Sequence, residues 1–293
     1  MGRIAALLAL CFAAAAAQDP LTHVLDRISE QAEIFRSAAP KVIAREMLVQ
    51  RALRPRKHRF PLRIGAAPEK PPALSFQTRE IVSEYGFATL KSSPGSLHEF
   101  RQVISVDGRP VTDEGKARES LAAGLVSDDD RLRKRMLERF ERHGLVGAAT
   151  DFGQIIMLFS RSRLDRYEFR LDSSSQRIGA ERVRTVVFKE KPGGHSLLVL
   201  ERRQAIYQPL EGQIWVRERD ALPVRVWVRT QRDDHGTVVR DEATVDYVES
   251  PHRLIVPASV VHRQFAGGEL RVENVFRYSP FRMFAAETDI KFQ

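Results

Sequence analysis

From Gln154 to the C-terminus almost every segment of the chain reads as a β-strand, and this succession limits the possible folds more than any other feature. Candidate runs lie at 154–160, 165–172, 181–190, 196–204, 212–219, 223–231, 237–249, 253–263, 269–279 and 282–292, with glycine, proline or aspartate between most of them. Such short connections make neighbouring strands antiparallel, because parallel neighbours need long crossovers. Within 269–279, Leu270, Val272, Phe276 and Tyr278 project to one side, and Arg271, Glu273 and Arg277 to the other. A large antiparallel sheet with one apolar face must curl on itself or be covered by helices.

Helices to cover it are available upstream. Asp19 and Pro20 form an N-cap and first helical position, and Leu21, Val24, Leu25, Ile28 and Phe35 then recur at helical spacing, predicting a helix over 20–37. Residues 40–53 fit a short helix or a strand. Between 54 and 74 five prolines stand among Arg54, Arg56, Lys57, Arg59 and Arg63, which predicts a linker or extended loop. Strands follow at Phe76–Leu90 and Leu97–Val106, with a turn at Asp107-Gly108. Asp113 caps a short helix reaching Leu125, and a stronger one spans 128–143, with Leu132, Met136, Leu137 and Phe140 as its buried stripe. The expected architecture is a β-dominated α+β fold: a curved antiparallel sheet or incomplete barrel over 75–293, helices inserted at about 113–143, and a helical region at 18–53 in front of it.

The N-terminus points to export. Arg3, the apolar run Ile4–Ala16 and the small residues Ala15-Ala16-Ala17 predict a cleavable signal peptide over 1–17 and a periplasmic or extracellular mature protein. No later run reaches the roughly 18 apolar residues of a membrane span. Cys11, the single cysteine, falls in the discarded segment, so the mature chain has to rely on a hydrophobic core. The formal charge of +9, arginine-rich, suits anionic headgroups or acidic polysaccharide. No nucleic-acid-binding module is recognisable.

The search for chemistry finds no catalytic motif. Thr150-Asp151-Phe152-Gly153 carries the letters of a kinase metal-binding motif without the other kinase signatures, and reads as a turn into a strand Ile155–Phe159. The eight histidines, His23, His58, His98, His143, His195, His235, His252 and His262, show no zinc-binding spacing, so no metal or cofactor is expected. Ser173-Ser174-Ser175 reads as a polar loop, and Glu168 with Asp172 as ordinary solvated carboxylates. Arg54, Arg56, Lys57 and Arg59 are candidates for contact with an anionic surface, but with no aromatic stacking pattern interleaved a solvated, proline-stiffened loop is the simpler reading. Trp215 and Trp227, on two facing strands, are core anchors or, in a hollow barrel, lining residues.

The strand pair holding these tryptophans resembles a known family. Gly212-Gln-Ile-Trp215-Val, followed across a turn by Leu222-Pro-Val-Arg225-Val, is similar to the periplasmic lipoprotein carrier and receptor superfamily (LolA/LolB-like), with Arg217 where an acidic residue is expected. Asp246-Tyr247 and Leu254–Ala258 resemble its late strands, so that the likeness covers 165–292. It implies an incompletely closed barrel, lidded by helices, whose concave face accepts acyl chains. The leading reading is therefore a non-enzymatic exported protein that holds a lipid, lipoprotein acyl chain or other hydrophobic ligand, with Trp215, Trp227, Phe276 and Tyr278 as candidate lining residues. A structural or protein-interaction module of the envelope with a filled core is the alternative. An envelope hydrolase is the third class and needs a cleft joining a histidine to carboxylates.

Overall fold

The computed structural model describes residues 19–54, 75–127, 129–145, 152–194, 197–201, 204–251 and 253–284. The expected signal peptide, Arg56, Lys57, Arg59, His58, His195 and His252 lie outside these residues.

Helix α1 (Pro20–Ala38) begins where the sequence places it, with the Asp19 carboxylate accepting from the Thr22 N–H at 3.4 Å. Its buried face is Val24, Ile28, Ala32 and Phe35. The segment open to either reading becomes strand β1 (Val42–Leu53), in which Val42, Ala44, Glu46, Leu48, Gln50 and Ala52 are buried and the intervening side chains of its second half are more open. Period two decides for a strand; the ambiguity arose because Glu46 and Gln50 interrupt its apolar side.

β2 (Phe76–Leu90) and β3 (Ser93–Val106) form a hairpin that continues into the short β4 (Arg109–Pro110) through Asp107 and Gly108 at φ 51° and 73°. Helices α2 (Glu114–Val126) and α3 (Asp130–Glu141) come next. Then follow β5 (Tyr167–Ile178), β6 (Glu181–Glu190), β7 (Leu197–Glu201), β8 (Gln204–Gln208), β9 (Glu211–Arg217), β10 (Pro223–Asp234), β11 (Thr237–Glu249), β12 (Ile255–Ala266), β13 (Glu269–Tyr278) and β14 (Arg282–Met283). The pairing order is β4-β3-β2-β1-β13-β12-β11-β10-β9-β6-β5, with β14 also on β1 and β7–β8 forming a separate pair. Every pairing is antiparallel, and β4 and β5 do not meet, so the sheet is open. β1 joins the early meander to the late one, which makes the segment before the proline-rich stretch a central strand of the same sheet.

Three expectations need correction. Ile155–Phe159 is a 3-10 turn, followed by a second over Arg161–Arg166. A continuous apolar run has no period, and this one is buried as a plug, with Ile156 and Phe159 fully covered. Ser173–Ser175 belongs to β5, at a register shift between Leu171 and Ser175, where a bulge accommodates the polar run. The run at 196–204 divides into β7 and the start of β8.

The main core lies between α1, the Ile155–Phe159 plug and one face of the sheet, including Leu48, Ile81, Phe87, Ile214, Val226, Val245 and Phe276. Phe35 of α1 meets Phe87 edge-on at 5.3 Å. A smaller cluster on the other face packs α2 and α3 through Leu121, Leu125 and Met136 against Ile43, Ala88 and Phe100. α3 serves both clusters, because its Phe140 belongs to the main core.

Candidate functional site

On the core face of β1, β2, β3 and β13, Glu46, Tyr85, Glu99, Arg101, Phe276 and Tyr278 come together. Arg101 is 4% exposed, and Glu46 and Glu99 are each 1% exposed. The guanidinium donates through Nε and Nη2 to the two oxygens of Glu46 at 2.7 and 2.9 Å, and through Nη2 to Glu99 at 2.7 Å. Aromatic rings surround it, with its central carbon 5.0 Å from Tyr85, 4.8 Å from Phe140 and 5.7 Å from Phe276. Burial works against the charge of Arg101, but Glu46 and then Glu99 overcome it and hold the group charged well above its usual range. Burial and, next, Glu99 push the Tyr85 hydroxyl far above the usual tyrosine range; burial and Glu46 do the same to Tyr278. These tyrosines stay neutral donors.

The cover reaches this cluster at Gly153. A Cβ there would stand 2.8 Å from the Tyr85 hydroxyl and 3.0 Å from a Glu99 oxygen, so a side chain is excluded. The Tyr247 hydroxyl donates to the Gly153 carbonyl at 3.0 Å and accepts from the Ile156 N–H at 3.1 Å, fastening the entrance of the plug to β11. The Tyr85 hydroxyl itself makes no hydrogen bond among the described residues.

A second polar row crosses the strands. Gln50 donates to Asn274 at 3.0 Å, the Asn274 amide lies 3.3 Å from His262 Nδ1, and His262 Nε2 lies 3.1 Å from Asp241. The Phe152 ring lies against His262, tilted by 31° with centroids 4.6 Å apart. If Asn274 donates to Nδ1, the ring proton sits on Nε2 and is given to Asp241. Both nitrogens are then occupied, and the histidine links β11, β12 and β13. Among the described residues no three His, Cys, Asp or Glu side chains come together as metal ligands.

Of the residues singled out by sequence, Phe276 and Tyr278 face the core beside Arg101. Trp215 and Trp227 stand on the opposite face from Ile214, Val216, Val226 and Val228; Trp215 Nε1 is 3.4 Å from Gln176, and Arg229 lies over the Trp227 ring at 5.7 Å. Arg54 is exposed at the end of β1. Glu168 is exposed and Asp172 turns to the Ser174 N–H at 3.0 Å. Arg217, the departure from the expected acidic residue, closes its own turn by a bidentate pair with Asp220 at 3.0 and 2.7 Å and reaches Glu249 at 3.3 Å. The Glu46–Arg101–Glu99 cluster was missed, because a charge in a strand normally marks the solvent side. Its trace in the sequence is phase: Glu46 alternates with Ala44 and Leu48, and Arg101 with Val103.

Surface hollows of about 260 Å³ beside Lys189, Leu210 and Arg229, and about 420 Å³ beside Arg79, Asp107 and Val111, are lined by other residues than these. No described helix is long and apolar enough to cross a membrane.

No protein-family profile and no curated protein matches the sequence. A solved structure, that of the LolA superfamily protein NE2245 from Nitrosomonas europaea, is similar over 92% of this chain and 97% of that one, at 11% sequence identity and a TM-score of 0.31.

Proposed function

We propose that this is an exported, non-enzymatic protein that binds one lipid-like amphiphile against the core face of its open sheet, in the space now filled by α1 and the 152–166 segment. The observation that carries the reading is the kind of cover. An apolar sheet face is shielded by one helix and two 3-10 turns, elements outside the strand ladder that can leave without breaking it. A local rearrangement of such elements costs far less than opening a sheet.

An amphiphile suits the interior better than a pure hydrocarbon. Val186, Ile214, Val226, Val228 and Val245 offer an aliphatic wall for a chain, and the Tyr85 hydroxyl offers an unused donor for a polar end. Phe276 and Tyr278 would contact the ligand near that end.

Native mass spectrometry of gently purified protein, together with uptake of a fluorescent fatty acid, tests the reading. A retained lipid, or saturable uptake accompanied by loss of amide protection at 152–160, is expected. No retained lipid and no uptake would overturn it and leave an envelope module with a filled core.

A further inference from the structure

We infer that the outer face of α3 is a docking surface for an anionic lipid bilayer. At about 100° per residue, Arg131, Arg135, Arg139 and Arg142 form one ridge opposite the buried side chains Arg133, Met136 and Phe140, with Lys134 beside it. All five cations are exposed. Arg131, Lys134, Arg135 and Arg139 form no ion pair among the described residues, whereas Arg27, Arg45, Arg51, Arg225 and Arg263 elsewhere on the surface are paired with carboxylates. Glu138 falls within the ridge, between Lys134 and Arg131, and Glu141 and Asp130 lie beside Lys134, so the five exposed cations against these three acids leave a net charge of +2, buried Arg133 aside.

The ridge is held rigidly from beneath. Arg133 donates to the carbonyls of Thr89, Gly124 and Leu125 at 2.6, 3.0 and 2.9 Å, using the end of α2 as its seat. Asp130 accepts from the N–H groups of Lys91 and Ser92 at 3.0 and 2.9 Å and ties α3 to the β2–β3 turn. Gly124 lets Met136 approach so closely that a Cβ would lie 2.3 Å from its sulfur. The ordering of these cations is therefore already provided by the fold.

Its shape selects the partner. The charges run along the length of a helix, roughly 17 Å, and do not converge on one point. Such an array matches a surface of many mobile phosphates. Val126, 59% exposed at the last position of α2 and just before α3, adds an apolar side chain to the same connection. A handful of basic groups gives reversible attachment, weakened by salt, and no permanent anchor.

The test is co-sedimentation of the full mature chain, without added ligand, with vesicles of phosphatidylglycerol and phosphatidylcholine or of phosphatidylcholine alone. Binding is expected to the anionic vesicles only, and to fall in 0.5 M salt, on the order of tenfold or more. Arg131→Gln/Arg135→Gln/Arg139→Gln should weaken it roughly a hundredfold, about fivefold for each charge. The triple substitution Arg170→Gln/Arg177→Gln/Lys189→Gln removes equal charge from exposed positions on β5 and β6 and should cost less than about fivefold. Equal losses from the two triples, equal binding to both vesicle types, or binding to soluble polyglutamate but not to vesicles would each overturn the inference. Fatty-acid uptake by the α3 triple variant keeps this result separate from the question of the interior ligand.

Discussion

Over β6, β9, β10 and β11 the core face is mainly hydrocarbon, built from Val186, Ile214, Val216, Val226, Val228 and Val245, with Glu190, Thr230 and Asp241 gathered at one end of these strands, whereas over β1, β2, β3 and β13 it carries Glu46, Gln50, Ser83, Glu99, Arg101 and Asn274 throughout. The first region is stabilised by removal of apolar area from water, and it tolerates changes of shape that conserve volume. The second depends on partners: each charge there is acceptable only while its neighbour is present. One sheet thus has a forgiving wall and an exacting one, and the plug rests its Gly153 on the exacting side.

The largest expected effect breaks that side. Arg101→Met leaves Glu46 and Glu99 buried without their guanidinium and should lower the unfolding free energy by about 3–5 kcal/mol, read by urea denaturation. Replacing the acids as well, in Arg101→Met/Glu46→Leu/Glu99→Leu, should recover most of the loss. If the triple is as unstable as the single variant, the contrast between the walls is wrongly drawn. On the aliphatic wall, Ile214→Ala should cost about 2–5 kcal/mol and Ile214→Val only about 0.5–1.5, a graded response to lost volume.

The contrast also explains what the sequence could tell. Alternation in β13 placed Phe276 and Tyr278 on the core side because Leu270 and Val272 share their phase while Arg271, Glu273 and Arg277 take the other. The same rule puts Trp215 outside, since Ile214 and Val216 are inside. Glu46 and Arg101 were illegible for a different reason. Their burial depends on each other across two strands, β1 and β3, that are not neighbours in the sheet, and no local pattern records a partner 55 residues away. The Ile155–Phe159 plug was misread because total burial erases the period that distinguishes strand from helix.

An intermediate effect is expected where plug and sheet meet. Tyr247→Phe removes the hydroxyl shared by the Gly153 carbonyl and the Ile156 N–H and leaves both without it, a loss of about 1–3 kcal/mol. Hydrogen exchange should rise first at 152–160, with β10 and β11 still protected. Faster fatty-acid uptake by this variant would favour the removable-cover reading; uniform destabilisation would argue that plug and sheet open as one unit.

The smallest effect concerns charge on the solvent side of the sheet. Glu273 is held below the usual carboxylate range first by Arg263, at 2.8 Å, and then by Arg51, at 3.0 Å, against some desolvation. Its folded-state pKa is depressed, so the stabilisation is complete above its ordinary value of 4.5 and is lost as pH falls through the lower folded value. Glu273→Gln should leave stability nearly unchanged at acid pH and cost about 1 kcal/mol or less at pH 7, because both arginines are nearly half exposed to solvent. Comparing the pH dependence of this variant with that of the parent isolates the pair, since the subtraction cancels every other carboxylate. A difference that grows toward acid would reverse the sign and show that Glu273 is a burden to the fold; a difference that grows toward neutral pH and shrinks in salt marks the exposed face as the one place where the sheet's charges act weakly and independently.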